Sequence, residues 1–298
     1  MRPATIPALL KETIFEWQAD RGPRLGGALA FYTLFSLAPM LMILIAIAAL
    51  AFGREVAYTQ LVQQIGEFVG PEGARVIQTT IENTSSPRSG IVATLIGLGT
   101  MFFGATVVFS ELQDALNMIW KVPLRRRHGM ALGLMWERFL SFSMVLGIGI
   151  LLLLSIVANS VLNAIVQISG SILPQQVDWV PTANFVFAFS AVTLLFAMLY
   201  KVLPDVKIAW GDVLIGAVVT ALLFMIGKFL IELYLGYSSV ASVYGAAGSL
   251  VILLMWIYYS AQILYFGAEF TKVYAKRRGR SIDPAEERVP VTHESHAE

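Results

Sequence analysis

The amino-acid sequence predicts an all-α polytopic membrane protein, a bundle of six transmembrane helices with both termini in the cytoplasm. Of its 298 residues, 57% are hydrophobic and only 14% are charged, whereas soluble domains carry about 25% charged residues. Six apolar segments are long enough to cross, as helices, a hydrocarbon layer roughly 30 Å thick. Lys and Arg residues also concentrate in alternate connections, as expected when those connections stay in the cytoplasm.

The first predicted span, Ala28–Phe52, contains no charged residue. More than 20 residues precede it and no small-residue cleavage site follows it, so we expect a retained span rather than a cleaved signal peptide. The other predicted spans are Ile91–Ser110, Phe139–Leu162, Ala183–Leu203, Val213–Leu235 and Val243–Ala268. The last span is expected to end at Glu269, where the apolar run stops.

The basic residues set the predicted orientation. The N-terminal segment, the second connection, the fourth connection and the C-terminal tail hold four, five, two and six Lys or Arg residues, against three in the other connections together. Both termini are therefore expected in the cytoplasm. The predicted domains are a cytoplasmic amphipathic segment (1–27), a transmembrane domain (28–270) and a basic, then disordered, cytoplasmic tail (271–298).

Two of the predicted outer connections are apolar, and the first contains two stretches with apolar residues at helical spacing. Val56–Val69 and Ala74–Ile81 are joined by the turn sequence GPEG, and Asn163–Asn184 is also apolar. They are interpreted either as short interfacial helices on the outer side or as ordinary structured loops. Residues Thr5–Ala19 have the pattern of an amphipathic helix lying on the inner membrane surface.

Polar residues interrupt the first span. Tyr32, Ser36 and Pro39 follow one another at i, i+4 and i+7 and so share one helix face. Pro39 cannot donate to the carbonyl of Phe35, so a kink with a freed acceptor is expected beside the Ser36 hydroxyl. The alternative is a proline kink used only for packing.

A longer polar stripe follows one face of the sixth span, at Tyr258, Gln262, Tyr265 and Glu269. The second span leaves the membrane through Glu111 and Asn117. Polar side chains in a membrane helix usually face the bundle or a water-filled cavity. Together with Tyr32, Ser36 and Pro39, they predict a polar vestibule open to the cytoplasm between spans one, two and six. The alternative is hydrogen bonding between helices without a cavity.

Lys228 lies within the fifth span, and Glu232 is one turn further on the same face. The two are predicted to form an intramembrane charge pair that binds an anionic group or couples to an ion. Snorkelling of the lysine to the outer headgroups is the alternative.

Two basic runs flank the predicted inner surface and are interpreted as anchors for anionic lipid headgroups. They contain Arg125, Arg126, Arg127, Lys276, Arg277 and Arg278. Neither run has the aromatic platform of single-strand binders, so no nucleic-acid partner is expected. The chain has no Cys and three His, and it lacks the HExxH, P-loop and GxSxG motifs, so we expect no enzyme, metal or cofactor.

Three stretches resemble the YihY/virulence factor BrkB family of bacterial inner-membrane proteins: DRGPRLGGALAFYTLFSLAP, ELQDALNMIW and VYGAAGSLVILLMWIYYSAQILYFGAEF. The resemblance covers roughly residues 7–278. Tyr32, Ser36 and Pro39 match the family pattern AFYxxxSLAP, and Glu269 matches the end of its last-helix pattern. The resemblance implies a bundle of about six helices but no agreed catalytic residues.

The resemblance also implies a role in virulence or in handling envelope lipid. The kinked first span, the polar stripe on the sixth span and the charge pair on the fifth favour a transporter-like or flippase-like protein acting on a lipid or another amphiphile. A non-transporting scaffold for envelope integrity is the alternative. An older family label, ribonuclease BN, implies tRNA processing, which the missing enzymatic motifs disfavour.

Overall fold

The computed structural model describes four stretches of the chain and a few isolated positions. They are residues 6–60, 107–122, 180–237 and 248–279, with 62–63, 75, 78–79, 81, 147 and 283–284. These residues are helical apart from turns and one antiparallel pairing of two-residue strands. The predicted all-α class is confirmed for this part of the chain.

Six labelled helices organise the described residues, besides the helical stretch at 54–60. In chain order they are α1 (Ile6–Ala19), α2 (Gly22–Phe52), α3 (107–119), α4 (Val180–Val202), α5 (Trp210–Tyr237) and α6 (Gly248–Arg277).

Three described helices are long and apolar enough to cross a membrane. Their candidate spans are Phe185–Val202, Trp210–Ile231 and Leu250–Arg277, and they coincide with the predicted fourth, fifth and sixth spans. The first predicted span lies within α2. Of the second predicted span only 107–110 is described, and it is helical. The third, except Gly147, lies outside the described residues.

Helix α6 does not end where the sixth span is predicted to end, at Glu269. Helix α6 continues through this residue to Arg277, because the Glu269 carboxylate is buried in the protein and paired with Lys272 one turn later. At 30 residues, α6 is about 45 Å long, which exceeds the roughly 30 Å hydrocarbon layer. The first residues assigned to the tail are thus a helical continuation.

The connection after α2 folds back onto that helix. Residues 54–60 are helical, and so are the described positions between 62 and 81. Ile81 is buried against Leu41, Leu44 and Ile45 of α2. The predicted helical character of this connection is therefore seen wherever it is described. For Asn163–Asn184, only 180–184 is described, as the start of α4.

The tail also contacts the body of the protein at one place. Val206 and Lys207 (β1) pair antiparallel with Pro284 and Asp283 (β2). This pairing attaches part of the segment predicted to be disordered to the turn between α4 and α5.

The largest core cluster joins α3 to α4, α5 and α6, with one residue of α2. Its fully buried members include Leu116, Tyr200, Ala217, Tyr265 and Ala268.

In contrast, α5 exposes Leu214, Val218, Leu222 and Ile226 at four-residue intervals. Such a continuous exposed apolar stripe is typical of a surface that contacts lipid.

Helices α5 and α6 cross closely through two matched pairs of small residues. Gly216 of α5 faces Thr271 of α6, while Gly267 of α6 faces Thr220 of α5. The reversed order of the two pairs makes the helices antiparallel. Each threonine hydroxyl donates to the carbonyl of the glycine one turn earlier in its own helix, at 2.7 Å.

Candidate functional site: a polar face of α6 and a buried ionic cluster

The polar stripe predicted on α6 becomes progressively more buried along the helix. Tyr258 is 38% exposed, Gln262 is half-buried, and Tyr265 and Glu269 have no exposed surface. Burial of a carboxylate and a phenol inside a membrane-length helix is costly unless they have partners. The buried half of this stripe is therefore a candidate functional surface.

Two glycines at the start of α2 make close contacts, one with this face of α6 and one with α1. A Cβ at Gly26 would lie 2.9 Å from Cδ of Gln262, and a Cβ at Gly22 would lie 2.7 Å from Cε2 of Trp17. Real Cβ contacts that short essentially do not occur. The Gln262 amide also donates to the carbonyl of Pro23, at 3.5 Å. Gly26 thus lets the start of α2 approach α6, while Gly22 lets it approach Trp17 of α1.

Several buried polar atoms on this face have no hydrogen-bond partner among the described residues. They are Oε1 of Gln262, the hydroxyl of Tyr265 and Oε1 of Glu269. Most buried polar atoms in proteins bind either another protein group or ordered water. Their occurrence on one face makes this surface the candidate site for polar contacts.

At the end of this face, five charged side chains from three parts of the chain form an ionic cluster. Its members are Glu16 of α1, Asp20 of the α1–α2 turn, Lys121 after α3, and Glu269 and Lys272 of α6. The Lys272 ammonium lies 2.6 Å from Glu269 Oε2, 3.1 Å from Glu16 Oε2 and 3.2 Å from Asp20 Oδ2. Asp20 also pairs with Lys121.

The three carboxylates are close enough to serve as metal ligands, with ligand atoms of Glu16, Asp20 and Glu269 within 4.8 Å of one another. However, the Lys272 ammonium already contacts all three carboxylates. Since an ammonium is itself a cation with three donors, it fills the role that a metal would have.

The turns that bring the cluster together use an uncommon backbone conformation. Arg21, next to Asp20, has φ of 57°, and Lys121 has φ of 55°. Non-glycine residues in this left-handed region are uncommon and are often found at functional sites. Both turns therefore hold strained residues where Asp20 meets Lys121.

The pKa of Asp20 reflects this setting. Burial acts to raise it, but the hydrogen bond from Lys121 and the positive charge of Lys272 outweigh burial and hold the pKa below its ordinary value. Asp20 is therefore a carboxylate at neutral pH, and it links α3 to α6.

A further ion pair fixes α1 to the last helix. Arg277 donates from Nε to Glu12 Oε2 at 2.7 Å and from Nη2 to the carbonyl of Ala8 at 3.2 Å. Leu9 is buried on the same side, against Phe270 and Val273 of α6. The N-terminal helix predicted to lie on the membrane surface thus also packs on the end of α6.

Helix α3 supplies the other predicted polar residues. Glu111 is half-buried, and its pKa is raised by burial and by the negative charge of Asp114. The Glu111 charge also acts on the Tyr265 hydroxyl. The structure therefore brings Glu111 to the polar face of α6.

Asn117 has a different environment. Its amide donates to Asp205 Oδ2 at 2.9 Å, and its carbonyl oxygen accepts from the backbone N–H of Asp205 at 2.8 Å. Gln113 adds a hydrogen bond to Asp205 Oδ1 at 3.3 Å. Asn117 thus ties α3 to the turn after α4.

The predicted residues of the first span separate in exposure. Ser36 is 3% exposed, whereas Tyr32 is 38% exposed. The backbone at Pro39 is helical within α2, and its side chain lies outside the described residues. Ser36 is thus the inward-facing member of the pair that the structure describes.

The remaining predicted residues are only partly described. Lys228 is half-buried in α5, but the side chain of Glu232 and the run Arg125–Arg127 lie outside the described residues. Lys276 is exposed, and Arg278 is exposed with its guanidinium 4.8 Å from the centre of the Tyr274 ring. The charge pair and the headgroup anchors stay predictions.

Sequence reasoning missed most of the ionic cluster. Lys121 and Lys272 were counted only toward topology, and Glu16 and Asp20 were not considered as partners. One usable signal was the recurrence of Glu12, Glu16 and Asp20 every four residues, which places three carboxylates along one side of α1.

Comparison with known proteins gives a consistent result. A family model described as virulence factor BrkB matches residues 13–292. A UPF0761 membrane protein of Photobacterium profundum is 30% identical over 277 residues, covering 92% of this chain and 82% of that protein. One from Vibrio vulnificus is 29% identical, covering 91% and 83%. No solved structure matches the chain significantly.

Proposed function

Because the chain belongs to the virulence factor BrkB family of membrane proteins, we propose that it handles a lipid or another amphiphile as a transporter or flippase would. In this proposal it is a multi-pass protein of the bacterial cytoplasmic membrane, with six spans and both termini in the cytoplasm. It is not an enzyme, needs no cofactor and binds no nucleic acid. Its partners are membrane lipids, whose anionic headgroups contact the basic segments.

One observation carries the proposal: the polar face of α6 is buried inside the bundle and retains polar atoms without partners among the described residues. Tyr265 and Glu269 have no exposed surface, yet the Tyr265 hydroxyl and Glu269 Oε1 form no hydrogen bond with any described residue. A sealed structural core would satisfy such groups. Groups that meet a changing set of waters and headgroups have no fixed protein partner.

The surroundings of this face suit an amphiphile. A headgroup needs polar contacts, which Gln262 and Tyr265 offer, while acyl chains need an apolar surface such as the exposed stripe of α5. In a low-dielectric bundle, each polar contact is stronger than it would be in water. A few such side chains are therefore enough to lower the cost of moving a headgroup through the membrane.

The test is lipid movement in proteoliposomes that contain the purified full-length protein and fluorescent phospholipid, read by chemical quenching of the outer leaflet. We expect faster movement than in protein-free liposomes, and a several-fold loss with Tyr265→Phe or Gln262→Leu. Tyr234→Phe on the exposed side of α5 is the matched control and should behave as the wild type. Movement equal to that of empty liposomes would rule out the proposal.

Accessibility provides a second test. The chain has no native cysteine, so single-cysteine variants Ser36→Cys and Gln262→Cys can be labelled without background. The proposed vestibule predicts that both react with water-soluble thiol reagents added from the cytoplasmic side. Labelling at neither position would exclude a water-filled route.

A scaffold for envelope integrity is the second candidate, and a different network favours it. The Tyr200 hydroxyl donates to the carbonyl of Leu264 at 2.7 Å and lies 3.0 Å from Thr220 Oγ1. This network joins α4, α5 and α6 with its polar groups satisfied, as a static bundle requires. A scaffold predicts no lipid movement and no labelling, but loss of envelope integrity on deletion.

The predicted charge pair enters the proposal as a second polar element. Lys228→Met, at matched expression, should impair complementation of a deletion strain if the lysine binds an anionic group. Unchanged complementation would leave Lys228 as a headgroup anchor.

A further inference from the structure

We propose that the ionic cluster holds one exchangeable proton on Glu269, and that this proton is the ion coupled to the lipid handling proposed above, on which the coupling part of the inference rests. The proton is bound by the Glu269 carboxylate at the junction of α1, α2, α3 and α6. Gln262 and Tyr265, which would contact the headgroup, lie on the same face of α6 as this carboxylate.

The charge balance of the cluster is the first argument. Three carboxylates, Glu16, Asp20 and Glu269, share two ammonium groups, Lys121 and Lys272. The cluster therefore carries one unbalanced negative charge when all groups are ionised. Lys121 and Glu16 retain solvent contact, but Asp20, Glu269 and Lys272 are buried. Unbalanced charge among these buried groups is strongly disfavoured, and one bound proton makes the cluster neutral.

The contacts decide which carboxylate takes the proton. Asp20 has both ammonium groups as partners, and the net effect of its surroundings is a lowered pKa. Glu16 retains solvent contact, with 28% of its side chain exposed. Glu269 has no exposed surface, contacts only Lys272 among the described cations, and has no partner at Oε1.

The groups facing Glu269 come from each element that forms the cluster. Glu16 and Asp20 approach from α1 and its following turn, Lys121 belongs to the turn after α3, and Lys272 lies on α6. A proton is a suitable ligand because Lys272 already occupies the space that a larger cation would need. A neutral Glu269 leaves Lys272 paired with Glu16 and Asp20, so two positive charges face two negative ones.

The step is a simple proton transfer. A hydronium ion on the polar face transfers its proton to a carboxylate oxygen of Glu269, forming one O–H bond and leaving a water molecule. The ion pair between Glu269 and Lys272 becomes a neutral contact, while the bonds from Lys272 to α1 persist. Deprotonation restores the attraction between Glu269 and Lys272 and returns the proton to water.

The direct test is infrared spectroscopy of the full-length protein in lipid nanodiscs, titrated from acidic to alkaline pH. We expect the carbonyl stretch of a protonated carboxylic acid, which disappears on alkalinisation. Glu269→Gln should remove this band, whereas the matched variant Glu16→Gln should keep it. A band unchanged by Glu269→Gln, or no titrating band in the wild type, would overturn the assignment.

Folding of the variant is informative as well. Glutamine has nearly the same shape as a protonated glutamate, so Glu269→Gln should fold and retain the thermal stability of the wild type. If Glu269→Gln fails to fold, the side chain must be ionised in the native state, and the proton assignment is wrong.

Coupling is tested in the proteoliposomes by imposing a pH gradient. Lipid movement by the wild type should change several-fold, and movement by Glu269→Gln should not respond. A titrating Glu269 band without lipid movement would defeat the proposed function and keep the proton site. Lipid movement without the band would defeat the proton site alone, and a band with gradient-independent movement would defeat the coupling.

Discussion

Replacing Gly216 with alanine tests the close crossing of α5 and α6. The new Cβ would lie 2.8 Å from the Cβ of Thr271 and closer still to its hydroxyl, while ordinary Cβ contacts begin near 3.4 Å. The helices must therefore separate by at least 0.6 Å, the difference between those two distances. Thr271 cannot turn aside freely because its hydroxyl donates to the carbonyl of Gly267.

The expected loss is substantial. Overpacking a well-fitted core costs about 1–3 kcal/mol, and a lost hydrogen bond adds about 1 kcal/mol. Gly27→Ala in α2 is the matched control, because a Cβ there meets nothing within 4 Å. That substitution should be neutral or stabilise the helix by up to about 1 kcal/mol. The two variants should thus differ in free energy of unfolding by about 2–4 kcal/mol.

The assay is equilibrium unfolding in mixed micelles, followed by tryptophan fluorescence and referred to the wild type. Thr271→Gly removes the opposing side chain, so Gly216→Ala combined with Thr271→Gly should be no less stable than Thr271→Gly alone. Equal stability of Gly216→Ala and Gly27→Ala would refute the close crossing. Additive losses in the double variant would also contradict it.

Three further outcomes can be measured. The folded-state pKa of Asp20 lies below its unfolded value, so its contribution to stability is present above the unfolded pKa of about 4 and is lost as pH falls through the folded pKa. Asp20→Asn should abolish this acid-induced part of the loss in thermal stability, and an unchanged pH profile would contradict the assignment. The pKa of Glu111 is raised, so its contribution to stability is present below its unfolded pKa and declines as pH rises through the folded pKa. Asp114→Asn should move this decline in thermal stability to lower pH, and a decline at the same pH would exclude repulsion by Asp114. Asn117→Ala removes two hydrogen bonds to Asp205 and should lower the free energy of unfolding by about 1–3 kcal/mol. Asn117→Asp is a second variant, whose carboxylate repels that of Asp205. Stability equal to the wild type in both variants would show that these hydrogen bonds between α3 and the turn after α4 do not contribute to stability.

The helices were the part of the fold that the sequence could predict. Hydrophobic runs and amphipathic periodicity are local, so α4, α5 and the start of α1 were placed within a few residues. The continuation of α6 beyond Glu269 was not predicted, because a carboxylate after an apolar run normally marks the membrane surface. The partners of Glu269 lie on α1 and one turn further along α6, and only their burial together lets the helix continue.

The candidate site was predictable only in part. The periodicity of α6 correctly placed Tyr265 and Glu269 on one face, because that relation depends on a single helix. The same rule grouped Tyr32 with Ser36, but their exposures differ because different neighbours lie along α2. The contact of Asp20 with Lys121 joins residues 101 positions apart, and no local pattern encodes such a contact.

The ion pair between Glu16 and Lys272 joins residues 256 positions apart and connects the first helix to the last. At about 5–20 residues per second, the ribosome needs roughly 10–50 s to make the chain between them. During that interval α1 emerges with Ile6, Leu10 and Ile14 along one side, and its Glu12 and Glu16 lack their α6 partners, Arg277 and Lys272. Synthesis of α6 completes the junction, so the N-terminal helix is among the first segments to be made and the last to reach its final position.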